Sequence, residues 1–291
     1  MNLPAGAIAP LPIPLDNHLR FDPAAQKAHL SWLASEGLDG ILVLGTNGEF
    51  PSLSLTERIS VAEAAAAAGA GLSLVLGVGS CALPDVITML GVAADCGYGA
   101  VLCPPPFYFR AAPVDGLAGF FREVLDASTV PMLLYHVPQI TGVPISEEIL
   151  DRLEGHGRLA GVKDSSGDPG ELHRLSTRFR DRAYIVGSDR LVTASLAAGG
   201  RGSITAAASV APALVKAVQR GDADQSQLDD VRALLEEYGL GPAVKAILRR
   251  SGLGEYATRP PLVGLDPQRE DKLWTAYCHL VPKEHRPNTR A

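Results

Sequence analysis

Leu159-Ala160-Gly161-Val162-Lys163-Asp164-Ser165-Ser166-Gly167-Asp168 joins an apolar run to a turn sequence, and residues 170–179 continue as a segment of helical length. A short apolar run bounded by turn residues reads as a strand buried on both faces of its sheet. Strand, turn and helix make one βα unit, and the unit recurs. Apolar runs at 8–14, 40–44, 72–78, 100–103, 131–135, 159–163, 183–186 and 202–205 alternate with helical segments. Those segments lie at 23–36, 56–70, 84–96, 114–127, 146–153, 170–179, 191–198 and 211–220. Asp22-Pro23, Leu55-Thr56-Glu57 and Ser146-Glu147 supply helix start signals. Eight such units predict an α/β fold, a parallel (β/α)8 barrel of the TIM type, over residues 1–221. Residues 222–291 show helical pattern without strands, which predicts a helical extension packed on the barrel. A doubly wound open sheet is the competitor. It would want a GxGxxG phosphate loop after the first strand, and none stands there.

Composition narrows the function. With 291 residues and 46% hydrophobic content, the chain can bury a full core. A net charge of −6 and the lack of a basic cluster argue against a nucleic-acid partner. Cys81, Cys96, Cys103 and Cys278 are scattered with no CxxC pair, as expected of thiols kept reduced in the cytoplasm. The start, Met1-Asn2-Leu3-Pro4, lacks the basic region of a signal peptide. The longest apolar stretch, 61–78, is interrupted by Glu63 and by glycines, so it reads as a helix followed by a strand rather than a membrane span. The expectation is a cytoplasmic protein that does not enter the membrane.

Lys163 is the one lysine between Lys27 and Lys216, in a stretch rich in arginine. Lysine is rarely buried unpaired. One reading is a salt-bridged lysine at a strand edge. The other is an amine that, once deprotonated, attacks a carbonyl and forms a Schiff base, which a guanidinium cannot do. Barrel active sites lie where strands end and βα loops begin, and the unusual residues fall there. Strand two ends in Gly45-Thr46-Asn47-Gly48-Glu49-Phe50 and strand four in Pro104-Pro105-Pro106-Phe107-Tyr108-Phe109. Strand five ends in Tyr135-His136-Val137-Pro138, strand six in Lys163, and strand seven in Gly187-Ser188-Asp189. The polar groups are expected to converge on one mouth.

GTNGE (45–49), LYHVP (134–138) and GVKDSSGD (161–168), in that order, resemble the Schiff-base aldolase superfamily of dihydrodipicolinate synthase and N-acetylneuraminate lyase. The likeness covers essentially the whole chain, including Gly202-Ser203-Ile204, Gly241-Pro242-Ala243-Val244-Lys245 and Arg259-Pro260-Pro261-Leu262. It implies that Lys163 forms an imine with pyruvate or another 2-oxo acid, with no metal and no separate cofactor. It implies that Tyr135 shuttles the proton and that Thr46 links it to a second tyrosine. The family draws that tyrosine from a neighbouring subunit, so a homo-oligomer (a dimer, or a tetramer built as a dimer of dimers) is expected. Tyr108 is the matching position, with Phe107 and Phe109 as competitors. The resemblance places the substrate carboxylate on Thr46, Asn47 and their backbone N–H groups, and Gly187 and Ile204 along the pyruvate pocket. Glu49 is expected to support its loop. His136, with no second histidine or cysteine nearby, is expected to pack or hydrogen-bond rather than hold a metal.

One departure limits the substrate. Dihydrodipicolinate synthases carry an arginine two residues after the YNVP proline, where this chain has Ile140. Isoleucine cannot make two parallel hydrogen bonds to a carboxylate. Gly45 to Arg58, GTNGEFPSLSLTER, is closer to 4-hydroxy-2-oxoglutarate and 2-keto-3-deoxy sugar-acid aldolases. Arg190 and Arg110 are the candidate anchors for a distal carboxylate, and Asp189, beside Arg190, is a further expected substrate contact. Cleavage is the favoured reading, with dihydrodipicolinate synthesis or dehydration as alternatives. A silent 2-oxo-acid binder is the competing class, and a binder needs no buried nucleophile.

Overall fold

Pro10, Pro12 and Pro14 decide where the first strand stops. Proline has no N–H for the ladder, so the strand expected over 8–14 covers Gly6–Pro10 and the chain leaves the sheet after Leu11 donates to Leu42. The structure is a computed structural model describing residues 4–69 and 71–287. The leaderless start read at Met1-Asn2-Leu3, the last residue of the helix expected over 56–70, and the end of the C-terminal segment lie outside these residues.

The strands are β1 (Gly6–Pro10), β2 (Gly40–Val43), β3 (Ser73–Gly77), β4 (Ala100–Cys103), β5 (Met132–His136), β6 (Leu159–Asp164), β7 (Ala183–Val186) and β8 (Gly202–Ile204). All run parallel and pair in sequence order, and β8 returns to β1 to close the barrel. The seam requires glycine: a Cβ on Gly202 would stand 2.2 Å from the Gly6 carbonyl oxygen. Alternation along the strands separates two cores. Ile8, Leu42, Val75, Leu133, Ile185 and Ile204 fill the barrel, while Ala7, Ile41, Leu76, Leu134, Val162 and Tyr184 face the helices. Both faces are buried, which is why the strands read as unbroken apolar runs.

The helices are α1 (Pro23–Ser35), α2 (Leu55–Ala68), α3 (Leu83–Asp95), α4 (Val114–Ala127), α5 (Pro138–Thr141), α6 (Glu147–Leu153), α7 (Pro169–Arg178), α8 (Val192–Ala197), α9 (Pro212–Arg220), α10 (Gln225–Tyr238), α11 (Leu240–Arg250) and α12 (Pro267–Leu280). Asp22 caps α1 by accepting from the N–H groups of Ala24 and Ala25, and Ser54 with Glu57 forms a capping box on α2. The one-turn α5 was not expected, and the helix expected at 191–198 is preceded by a 3₁₀ turn, Asp189–Leu191. Leu228, Val231, Val244, Ile247, Leu273 and Tyr277 bring α10, α11 and α12 into the outer core. The four cysteines are free thiols. Among the described residues no helix is long and apolar enough to cross a membrane.

Candidate active site

Lys163 lies between Tyr135 on β5 and Ile185 on β7 in the strand register. Both neighbours point into the barrel, so Lys163 does too. Its side chain is buried, with Nζ 4.1 Å from the centre of the Tyr135 ring. The Tyr135 hydroxyl in turn lies 3.1 Å from Thr46 Oγ1, either oxygen serving as donor. Burial pushes the Tyr135 phenol up. The Lys163 charge and the Thr46 hydroxyl outweigh it, and the phenol sits below the usual tyrosine range.

Thr46 opens a 3₁₀ turn, Thr46–Gly48, after β2. The turn's own bonds use the Gly48 and Glu49 N–H groups, while among the described residues those of Thr46 and Asn47 donate to no protein carbonyl. Two such amides form the start of an anion cradle. Non-glycine residues in the left-handed region flank the turn, Leu44 at φ 59° and Glu49 at φ 52°. A conformation of that kind is disfavoured by about 1–3 kcal/mol, so something must hold it. Lys245 on α11 lies 2.7 Å from Glu49 Oε1, with both side chains buried, and also donates to the Ala257 carbonyl.

A cavity of about 90 Å³ opens at the C-terminal ends of the strands. Six of the residues expected at the site border it: Thr46, Asn47, Tyr135, Lys163, Gly187 and Ile204. A Cβ at Gly187 would stand 1.8 Å from Ser165 Oγ and 2.8 Å from Ser165 Cβ, so a side chain there would require Ser165 to move. A larger cavity, about 390 Å³, lies between α9, α10 and the end of α12, and none of the site residues borders it. Among the described residues no three His, Cys, Asp or Glu side chains gather as metal ligands would.

Residues 3–278 match the dihydrodipicolinate synthetase family. The chain belongs to that family. A curated relative, an uncharacterized DapA-like lyase of Chloroflexus aurantiacus, is 39% identical over 265 residues, 87% of this chain and 89% of the relative. The crystal structure of dihydrodipicolinate synthase from Agrobacterium tumefaciens superposes with a TM-score of 0.88 at 29% identity, covering 95% of this chain and 99% of that one. YagE, a prophage protein of E. coli K12 crystallised with pyruvate, has the same fold with a TM-score of 0.88 at 23% identity, covering 96% and 99%. As a member of the dihydrodipicolinate synthetase family, the protein is an enzyme, a lyase.

Within this family frame, four expected residues lie off the cavity. Tyr108 is 80% exposed, its ring against Phe109 and its N–H donating to Cys81 Sγ. Asp189 is fully buried: its carboxylate accepts from the Ala207 N–H and from Arg232 Nη1, so it supports the wall without facing the cavity. Arg190 lies outside, paired with Glu236 at 2.6 Å. Arg110 is exposed and lies over Gly142. The cavity is instead completed by Gln139, Ile140, Ser165, Leu240 and Arg232, with Pro10, Val137 and Ala206. Ser165 was findable, since it sits two residues after Lys163 and alternation puts both on one face. Arg232 carried no local signal. His136 accepts from the Ile145 N–H through Nδ1, and its Nε2 lies 3.0 Å from Glu171, behind the site.

Lys245 is also a buried lysine, but its amine is committed to Glu49. Burial pushes it down and the Glu49 charge only partly offsets that. Lys245→Met is expected to leave the Glu49 carboxylate buried and unpaired, destabilising the protein by about 3–5 kcal/mol. Chemical denaturation of the variant against the parent measures this. Unchanged stability would show that Glu49 finds another partner or water.

Proposed function

We propose that Lys163 forms an imine with pyruvate or another 2-oxo acid, and that the enzyme breaks the C3–C4 bond of a 4-hydroxy-2-oxo or 2-keto-3-deoxy acid. The observation that carries this reading is the buried amine beside a phenol that is itself hydrogen-bonded to Thr46. The neutral amine attacks the C2 carbonyl and Tyr135 gives its proton to the departing hydroxyl, so water leaves and a phenolate stays beside the protonated imine. The protonated imine then accepts the electron pair of the breaking C3–C4 bond, giving an enamine. Tyr135 takes the C4 hydroxyl proton as the aldehyde departs and returns it to the enamine carbon. Hydrolysis of the imine releases pyruvate and restores the amine. Thr46 and Asn47 hold the substrate carboxylate, and Gly187 and Ile204 border the bound acid. In a homo-oligomer, exposed Tyr108 would serve the neighbouring subunit's Thr46. Pyruvate with borohydride tests the reading: the intact mass should rise by one reduced pyruvate, and an unchanged mass favours a silent binder.

The alternative is dihydrodipicolinate synthesis, the condensation of pyruvate with aspartate semialdehyde; the A. tumefaciens structure carries the name dihydrodipicolinate synthase. Against it stands Ile140 at the cavity. A charge-assisted hydrogen bond contributes about 1.5–3 kcal/mol, so losing such contacts weakens productive binding roughly ten- to over a hundredfold. Side-by-side kinetics should show poor condensation and better release of pyruvate from 4-hydroxy-2-oxo or 2-keto-3-deoxy acids. Condensation with a kcat/KM above every cleavage substrate would overturn this choice.

A further inference from the structure

We propose that Arg232 recognises a carboxylate at the far end of the substrate, which makes a 2-oxo dicarboxylic acid the preferred class. This inference rests on the imine reading above and narrows it. Among the described residues that border the cavity, Lys163 and Arg232 are the only cations, and no carboxylate side chain is found there. The C-terminal wall otherwise consists of Leu240, and the segment after β5 contributes Val137, Gln139 and Ile140. An anion at that end therefore meets one charged partner inside a cavity, where the attraction is stronger than in water. A neutral polyol tail would gain less from a guanidinium than a carboxylate does.

The guanidinium is also held in place. Its Nη1 donates to Asp189 and its Nε to Glu236, and Glu236 is gripped from the other side by Arg190. Arginine has five N–H donors. Among the described residues Arg232 spends two, leaving three for a ligand. Fixed orientation with free donors is what bidentate carboxylate recognition needs. Asp189 and Glu236 are matched by Arg232 and Arg190, so the network carries no net negative charge. Asp189 and Arg190, which the sequence suggested as contacts, thus act here as positioning residues for Arg232.

The test compares 4-hydroxy-2-oxoglutarate with 4-hydroxy-2-oxopentanoate. The two share every reacting atom and differ in ending on a carboxylate or a methyl group. The parent enzyme should favour the dicarboxylate in kcat/KM by about ten- to over a hundredfold. Arg232→Met should bring that ratio close to one, chiefly by slowing the dicarboxylate. Because this variant leaves the Asp189 carboxylate without its cation, Arg232→Lys is measured beside it. Lysine keeps a charge for Asp189 but loses the fork, and the ratio should fall severalfold. Circular dichroism melts establish that each variant measured is folded. A ratio unchanged in the folded variants, or an equal loss on both substrates, would overturn the inference. Failure of the parent enzyme to trap pyruvate with borohydride is a separate readout: it would overturn the imine reading, and this inference with it.

Discussion

Lys163→Arg is expected to abolish both turnover and borohydride trapping of pyruvate, a loss on the order of 10⁴–10⁶-fold in kcat as when a nucleophile is removed. Arginine keeps the charge and has no amine to lose a proton and attack a carbonyl. The measurement is intact mass after borohydride with pyruvate, together with steady-state rates. The site is filled by a buried side chain packed on Tyr135, so a thermal melt accompanies both to show that the variant folds. Continued trapping by the arginine variant would place the nucleophile elsewhere. Lys245 could not easily supply it, because its amine is shared between Glu49 and the Ala257 carbonyl.

Tyr135→Phe is expected to lower kcat by about 10²–10⁴-fold, the usual contribution of a positioned acid–base group. The phenyl ring still fills the barrel against Lys163, so stability should change little. The hydroxyl lost is the one bonded to Thr46 at 3.1 Å and held below its usual range by the Lys163 charge. Trapping of pyruvate should slow but persist, because imine formation needs proton transfer without depending wholly on one donor. Near-parental turnover in this variant would make the tyrosine a packing residue and reassign the proton shuttle.

Much of the barrel was legible because its strands are covered on both faces. Runs such as Val162 within Leu159–Lys163 or Ile185 within 183–186 need no alternation to be read, and their spacing with helices admits few architectures. The errors fall where short-range chemistry competes with the ladder. The proline series ended β1 early, and the turn beginning at Asp189 delayed α8. The site followed the same division. Thr46, Tyr135 and Lys163 were visible because strand ends and ordered motifs mark them. Arg190 and Arg110 were the arginines named, Arg190 for its place on a strand-end loop, whereas the arginine that borders the cavity is Arg232.

By itself the sequence determined the eight-unit barrel, the inward amine on β6 and the strand ends that surround it, since local patterning and parallel closure leave little freedom. Only the tertiary structure decided which other cation shares the cavity with that amine. Arg232 reaches the cavity because α10 packs over the barrel end and Asp189, buried at the tip of β7, orients its guanidinium. Lys245 is likewise committed as a support because α11 carries it to Glu49. Contacts between residues 43 or 196 positions apart depend on how helices pack in three dimensions, and no local pattern encodes them.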